Sequence, residues 1–272
     1  MANLAATLAV LAATGLLVYQ ELRLAGRQAH CGDLGEEKAW IQGCTAKLAQ
    51  RYLSQSERAE ALVHRGKAWS LIQDTKGALA DFEEAALLDP NNSEARFAWD
   101  RSFRMVEPRW ARCADRAAQK QDLVEACSLF IDGAGAGGKL SRREALKVRA
   151  SAQIWLASDK SGSARERYQP VFADLDAALK ISPEDADALR ERAQVWERIG
   201  ALDDAIRDYT YAIAFTPLPW RNSPLRARAM VYRMQGKPED ARADYEAALK
   251  IDPGDITAKA ELQATANRAA PN

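Results

Sequence analysis

Two neighbouring stretches decide the fold: ALRERAQVW at residues 188–196 and DDAIRDYTYAIAFTP at residues 203–217. Each pattern occurs four times in the chain. The first carries an arginine followed by glycine or alanine; its copies are 61–69, 145–153, 188–196 and 224–232. The second has a small or branched residue, a ring or leucine four positions later, an alanine three positions after that, and a closing proline (Pro90, Pro183, Pro217 and Pro253). Small residues at i and i+7 let two antiparallel helices pack closely around the larger side chain, and proline ends the second helix.

Adjoining copies repeat at a spacing that is typical of one family. Pro183 and Pro217 are 34 residues apart, and Pro217 and Pro253 are 36 apart. This pattern and spacing resemble the tetratricopeptide repeat (TPR) family, in which each repeat is one helical hairpin. The resemblance implies an all-α, TPR-type solenoid wound as a right-handed superhelix, with a long concave surface and no enclosed pocket.

The four copies divide the chain into eight expected segments. They are a membrane anchor or signal segment (1–24), a lead-in helical region with the first cysteine pair (25–58), TPR copy one (59–92), a degenerate helical region with the second cysteine pair and a Gly-rich linker (93–142), TPR copy two (143–185), copy three (186–219), copy four (220–255), and a capping helix with a tail (256–272). Copy two has nine extra residues, which we place in the loop between its helices.

An apolar run of 16 residues, Leu4–Tyr19, precedes the repeats. A membrane-spanning helix needs about 20 residues, so the run is slightly short. Three interpretations stay open: an uncleaved transmembrane anchor, which we favour, a cleaved signal segment, and a buried core helix. Arg23 and Arg27 follow the run, and the positive-inside rule alone would place the repeats in the cytoplasm.

The four cysteines form two similarly spaced pairs, Cys31 with Cys44 and Cys113 with Cys127. Disulfides, free buried thiols and metal ligands are all open, although zinc ligands usually lie closer together in sequence. We favour two local disulfides because the paired arrangement is duplicated. Thirteen residues of straight helix span about 20 Å, so each bridge requires the first cysteine to lie in a segment folded back beside the helix of the second.

Disulfides persist in oxidising compartments. We therefore expect a protein anchored in the inner membrane with its repeats in the periplasm, against the positive-inside rule. The cytoplasmic face of the membrane, and secretion after signal cleavage, are the alternatives. A lead-in of a cysteine, a spacer and a helix with a second cysteine is also similar to that of exported bacterial TPR proteins, a looser resemblance than the repeat itself.

The composition excludes several classes of function. Lys plus Arg and Asp plus Glu are 38 each, so the chain lacks the positive field of a dedicated nucleic-acid binder. Only two histidines, His30 and His64, are present, and no nucleophile–base or paired-carboxylate arrangement is recognisable. We expect no catalytic residues, no metal, no cofactor and no small-molecule substrate.

In the TPR family, the first helix of each repeat supplies most of the inner face of the superhelix. Transferring these positions gives the candidate partner-binding residues, which are Lys67, Lys147, Arg190, Gln194, Arg198, Arg226, Met230 and Arg233. The arginines of copies three and four would suit an acidic protein or peptide partner. An ordinary solvated helix face is the alternative. The arginines that recur in the first stretch either line this groove or, as we favour, have a structural role such as pairing with acidic residues of the following helix; they are Arg65, Arg149, Arg192 and Arg228.

The repeats and the lack of a catalytic constellation predict a non-catalytic, membrane-tethered interaction scaffold for a protein or peptide in envelope complex assembly. One alternative is a redox or envelope-processing factor that uses the cysteine pairs. Another is a subunit held in a membrane complex mainly through its transmembrane helix, with the small residues of that segment at the contact.

Overall fold

The computed structural model describes residues 31, 36–133, 138–158 and 161–269, with side chains up to 264. Within these ranges the chain is α-helical, with one 3₁₀ turn (Leu218–Trp220) and no β-strand. The helices are α1 (Glu37–Leu48), α2 (Gln55–Leu71), α3 (Thr75–Leu88), α4 (Ser93–Val106), α5 (Pro108–Cys113), α6 (Lys120–Asp132), α7 (Lys139–Ala157), α8 (Ala164–Ile181), α9 (Ala186–Arg198), α10 (Leu202–Phe215), α11 (Asn222–Met234), α12 (Pro238–Ile251) and α13 (Ile256–Ala269). The all-helical, TPR-like solenoid architecture agrees with the prediction.

The chain forms two compact units, Met1–Phe82 and Glu83–Asn272. In the first, α1 packs against α2 around Trp40, Cys44 and Ala68. Gly66 of α2 lies directly below the Phe82 ring, because a Cβ atom built on Gly66 would come within 2.6 Å of that ring. The small-residue position of the repeat is thus the place where a ring of the second helix is seated.

In the second unit, each helix from α6 to α13 packs against the next one in the chain. The three hairpins α7–α8, α9–α10 and α11–α12 contain copies two, three and four, and α13 packs on α12. The small residues and rings of the sequence pattern form the cores: Ala193 and Ala205 surround Tyr209, while Ala229, Ala241 and Ala248 surround Tyr245. Stacked hairpins of this kind expose the first helix of each repeat along one face.

The extra residues of copy two lengthen its helices as well as its loop. Helices α7 and α8 have 19 and 18 residues, against 13 and 14 in the hairpin of copy three. Ser163 and Glu166 form a capping box that starts α8 at Ala164, so much of the segment expected to be loop is helical.

Two expectations concern residues outside the described ranges. The apolar run Leu4–Tyr19 lies there, as do residues 134–137 of the Gly-rich linker. Among the helices that the structure describes, none combines the length and the apolar character that crossing a membrane requires.

Candidate functional site

The arginine that recurs in the first helix of every copy pairs with an aspartate of the second helix. All four pairs are bidentate, with Nε and Nη2 of the arginine donating to the two carboxylate oxygens at 2.6–2.8 Å; they are Arg65–Asp81, Arg149–Asp174, Arg192–Asp208 and Arg228–Asp244. The Nη1 atom of each arginine also donates to the preceding helix, to Thr45, Ser128, Asp176 and Thr210 respectively. These arginines therefore hold three helices in place and do not line a groove.

An open cavity of about 810 Å³ lies in the second unit on the exposed face of α7 and α9. Helix α4 forms one side, and the segment from Trp110 to Leu123 closes one end. A second cavity of about 320 Å³ shares Ser151, Trp155, Arg190 and Glu191 with the first and continues to Gln194 and Arg198. We call the two together the groove.

The floor of the groove is a cluster of charged side chains that neutralise one another. The Lys147 ammonium is 2.9 Å from Asp185 and 3.6 Å from Glu144, and Arg96 donates to Asp187 at 2.6 Å. Fully buried Arg143 donates to Glu144 at 2.7 Å, to the Ser182 hydroxyl and to the Ala86 carbonyl. The cluster fixes α4, α7 and the start of α9 relative to one another.

Burial and pairing act in opposite directions on these groups. Burial alone would lower the pKa of Lys147, but Glu144 and Asp185 raise it above its usual value. Burial would raise the pKa of Asp187, but Lys147 and Arg96 lower it to about 2. Lys147 and Asp187 are therefore both charged at neutral pH, and the positive and negative charges of the floor largely cancel.

Two large aromatic side chains remain exposed beside this polar floor. Phe97 of α4 is 69% exposed and Trp155 of α7 is 71% exposed, and both line the groove. The rings of Trp99 and Phe103 in α4 pack with the ring of Trp110 in α5, with centroids 4.9–6.1 Å apart. This packing makes the α4 side of the groove rigid.

Two disulfides are present, Cys31–Cys44 and Cys113–Cys127. Their Cα atoms are 4.3 Å and 4.5 Å apart, and in the second pair α5, which ends at Cys113, packs against α6, which carries Cys127. Cys113 ends α5, and the next residues, Ala114 to Arg116, line the groove. This disulfide therefore ties one end of the groove to α6.

The predicted partner-binding residues fall into three sets. Lys147, Arg190, Gln194 and Arg198 come together in the groove, although Lys147 is buried and its charge is already neutralised. Arg226 pairs with Asp255 at 2.8 Å and Arg233 with Glu261, so acidic residues of the C-terminal segment engage both arginines that were predicted to bind an acidic partner. Met230 is exposed on the same helix, and Lys67 lies in the first unit.

Sequence reasoning missed Phe97, Arg96 and Trp155. Trp155 follows the predicted inner-face residue Lys147 by eight positions, about two helical turns, so helical periodicity could have found it. Arg96 and Phe97 are on α4, which the sequence identifies as a helix without a repeat pattern that would orient it.

Residues 224–255, the hairpin α11–α12, match the family model described as tetratricopeptide repeat. These residues form a tetratricopeptide repeat. TPR domains bind protein or peptide partners, and the family generally consists of non-catalytic scaffolds. Among the described residues, no group of three or more His, Cys, Asp or Glu side chains is arranged to hold a metal ion.

Three solved structures illustrate what the chain is similar to. One is a thermophilic TPR protein of Thermus thermophilus, at 19% identity and a TM-score of 0.45 over 77% of this chain and 99% of that one. Another is YrrB, described as a TPR protein with an unusual peptide-binding site, at 14% identity and a TM-score of 0.43 over 82% and 99%. A third is MamA, at 18% identity and a TM-score of 0.41 over 71% and 96%. No curated protein sequence matches the chain.

Proposed function

We propose that the protein is a non-catalytic scaffold that binds a peptide segment of a partner protein in the groove. The observation that carries this proposal is the pair of exposed rings, Phe97 and Trp155, beside a floor whose charges are satisfied internally. Aromatic residues dominate the binding energy of protein interfaces because they bury much apolar area with few rotatable bonds. A volume of about 810 Å³ is enough for a few side chains of a peptide.

The experiment is selection of a random peptide library displayed on phage with the full-length protein in mild detergent, followed by affinity measurement on one selected peptide. Phe97→Ala and Trp155→Ala should each weaken binding by tenfold or more. Tyr211→Ala is the matched control, because Tyr211 is a half-exposed ring of α10 that does not line the groove. Equal affinities of all three variants and the wild type would reject the groove as the binding site.

We further propose that Leu4–Tyr19 tethers the repeats to the inner membrane on its periplasmic side, where the scaffold takes part in envelope complex assembly. The two disulfides support an oxidising compartment. Labelling of intact spheroplasts with a membrane-impermeant amine reagent tests the orientation. If the lysines of the repeats react only after the cells are lysed, the repeats lie in the cytoplasm. If the repeats are recovered apart from the membranes, secretion is supported.

Burial of both cysteines favours a structural role over a redox activity for the Cys113–Cys127 disulfide. Cys113 and Cys127 are both fully buried, whereas a redox-active disulfide must present a sulfur atom to another thiol; in the other bridge Cys44 is fully buried and Cys31 is partly exposed. Rapid reduction of either bridge by millimolar glutathione in the folded protein would favour the redox alternative.

A further inference from the structure

An inner-face cation of one repeat is neutralised in two places by the aspartate that caps the helix following that repeat. Lys147 of α7 contacts Asp185 at 2.9 Å, and Arg226 of α11 contacts Asp255 at 2.8 Å. Both aspartates also accept the backbone N–H of a residue in the first turn of the following helix, Ala188 and Ala258, at 3.0 Å. One carboxylate thus caps the next helix and compensates a cation that would otherwise face the groove.

The third copy departs from this arrangement at Arg190. Arg190 precedes Arg192 by two positions, as Lys147 precedes Arg149 and Arg226 precedes Arg228. The position that corresponds to Asp185, at the start of α11, is held by Arg221. No side chain caps α11, and Arg221 donates to the carbonyl of Thr216 at 2.6 Å. Arg190 therefore does not receive the carboxylate that its counterparts receive.

The carboxylates near Arg190 are already engaged elsewhere. Arg190 forms a long ion pair with Asp187 at 3.7 Å, and Arg96 holds the other oxygen of Asp187 at 2.6 Å. Glu191 accepts the Ser151 hydroxyl at 2.8 Å, and burial raises its pKa above the usual value. Arg190 consequently keeps hydrogen-bonding capacity on the groove side.

Arg198 lies two turns further along the same face of α9 and lines the second cavity together with Arg190. It is exposed, and no described carboxylate lies within ion-pair distance of it. Trp155 lines both cavities, so an apolar surface and two available guanidinium groups adjoin one another. Guanidinium groups bind carboxylates in bidentate geometry, which gives specificity for them.

We infer that the groove selects a partner segment that carries an apolar side chain for Phe97 and Trp155, followed or preceded by an acidic residue that binds Arg190 and Arg198. This inference rests on the proposed peptide-binding function and adds the chemistry of the partner. The acidic partner predicted from the sequence would therefore bind the third repeat through Arg190 and Arg198, and not the fourth repeat through Arg226 and Arg233.

The test compares the peptides that three full-length proteins select from one random phage library. The wild type should enrich Asp and Glu beside an apolar residue. The double variant Arg190→Glu with Arg198→Glu should enrich Lys and Arg instead. Arg207→Glu is the control for an Arg→Glu change outside the groove, because Arg207 is an exposed arginine of α10 that pairs with Asp204 and does not line the groove. It should select the same peptides as the wild type.

A selected acidic peptide then gives the magnitude. Arg190→Ala should weaken its binding about tenfold, as expected for the loss of a hydrogen bond between charged groups. If the wild type selects peptides without acidic residues, or the double variant keeps the acidic preference, the inference is overturned and the peptide-binding proposal stands. If the wild type, shown to be folded by circular dichroism, selects no peptide at all, both fail.

Discussion

The Cys113–Cys127 disulfide should determine both the local stability of α5 and α6 and the strength of peptide binding. Replacing both cysteines by alanine removes the bridge without leaving a free thiol. The bridge closes a loop with a sequence separation of 14, and the loop-closure relation gives about 3 kcal/mol for a loop of this size. Both cysteines are fully buried, so lost packing adds to this value. Such a loss is a large part of the stability of an average domain.

Hydrogen exchange of backbone amides is the suitable assay, because it reports the stability of each helix separately. In the double variant Cys113→Ala with Cys127→Ala, protection should fall by about two orders of magnitude in α5 and α6, which a loss of about 3 kcal/mol implies. Affinity for a selected peptide should fall as well, because Ala114 to Arg116 and Leu123 line the end of the groove next to this bridge.

The other disulfide provides a matched control. Cys31–Cys44 has a sequence separation of 13, so its loop-closure contribution is nearly the same, about 3 kcal/mol. It lies in the unit Met1–Phe82, whereas every residue that lines the groove belongs to the unit Glu83–Asn272. Cys31→Ala with Cys44→Ala should therefore lower protection in α1 and leave peptide affinity unchanged. The reasoning is refuted if the two double variants lower peptide affinity equally, or if protection in α5 and α6 falls less than tenfold.

Three further predictions concern the ion pairs. Arg192→Ala should lower the free energy of unfolding by about 3 kcal/mol in urea titration, because buried Asp208 keeps an uncompensated charge. Adding Asp208→Asn should recover part of the lost free energy, and a loss under about 1 kcal/mol in Arg192→Ala alone would contradict the prediction. Arg221→Asp should weaken binding of an acidic peptide because a carboxylate at this position would compensate the charge of Arg190, whereas Arg221→Ala should leave binding unchanged. Equal affinities of the two variants for the peptide would refute the explanation given for Arg190. The free energy of unfolding should fall as the pH drops from about 4 to about 2, because the pKa of Asp187 is about 2 in the folded protein and higher in the unfolded chain. Asp187→Asn should flatten this part of the acid unfolding curve, and an unchanged curve would show that other carboxylates control it.

Local patterns in the sequence were sufficient to predict the hairpins and the structural role of their arginines. Small residues and rings recur at fixed spacing, and the resulting pairs, such as Ala193 with Tyr209, lie within one hairpin. Arg192 and Asp208 also lie within one hairpin, so their pairing follows once the two helices are recognised.

The charge of the groove could not be predicted in the same way, because it depends on contacts between repeats. Lys147 is neutralised by Asp185, which caps the first helix of the next hairpin, and Arg96 of α4 reaches Asp187, which is 91 positions away in the sequence. The sequence therefore identifies which helix faces are exposed, while the stacking of the hairpins decides which of their cations are available to a partner.

The position of the disulfides explains why the lead-in regions resemble the repeats without matching them. Each recurring arginine donates through Nη1 to the residue that follows the ring or leucine position of the preceding helix, as Arg228 does to Thr210 after Tyr209. Arg65 and Arg149 donate in the same way to Thr45 and Ser128, which follow Cys44 and Cys127. The second cysteine of each pair therefore occupies the place of the ring, and its partner occupies the place of the small residue below it. A disulfide thus replaces the packing of a ring on glycine or alanine at these two positions.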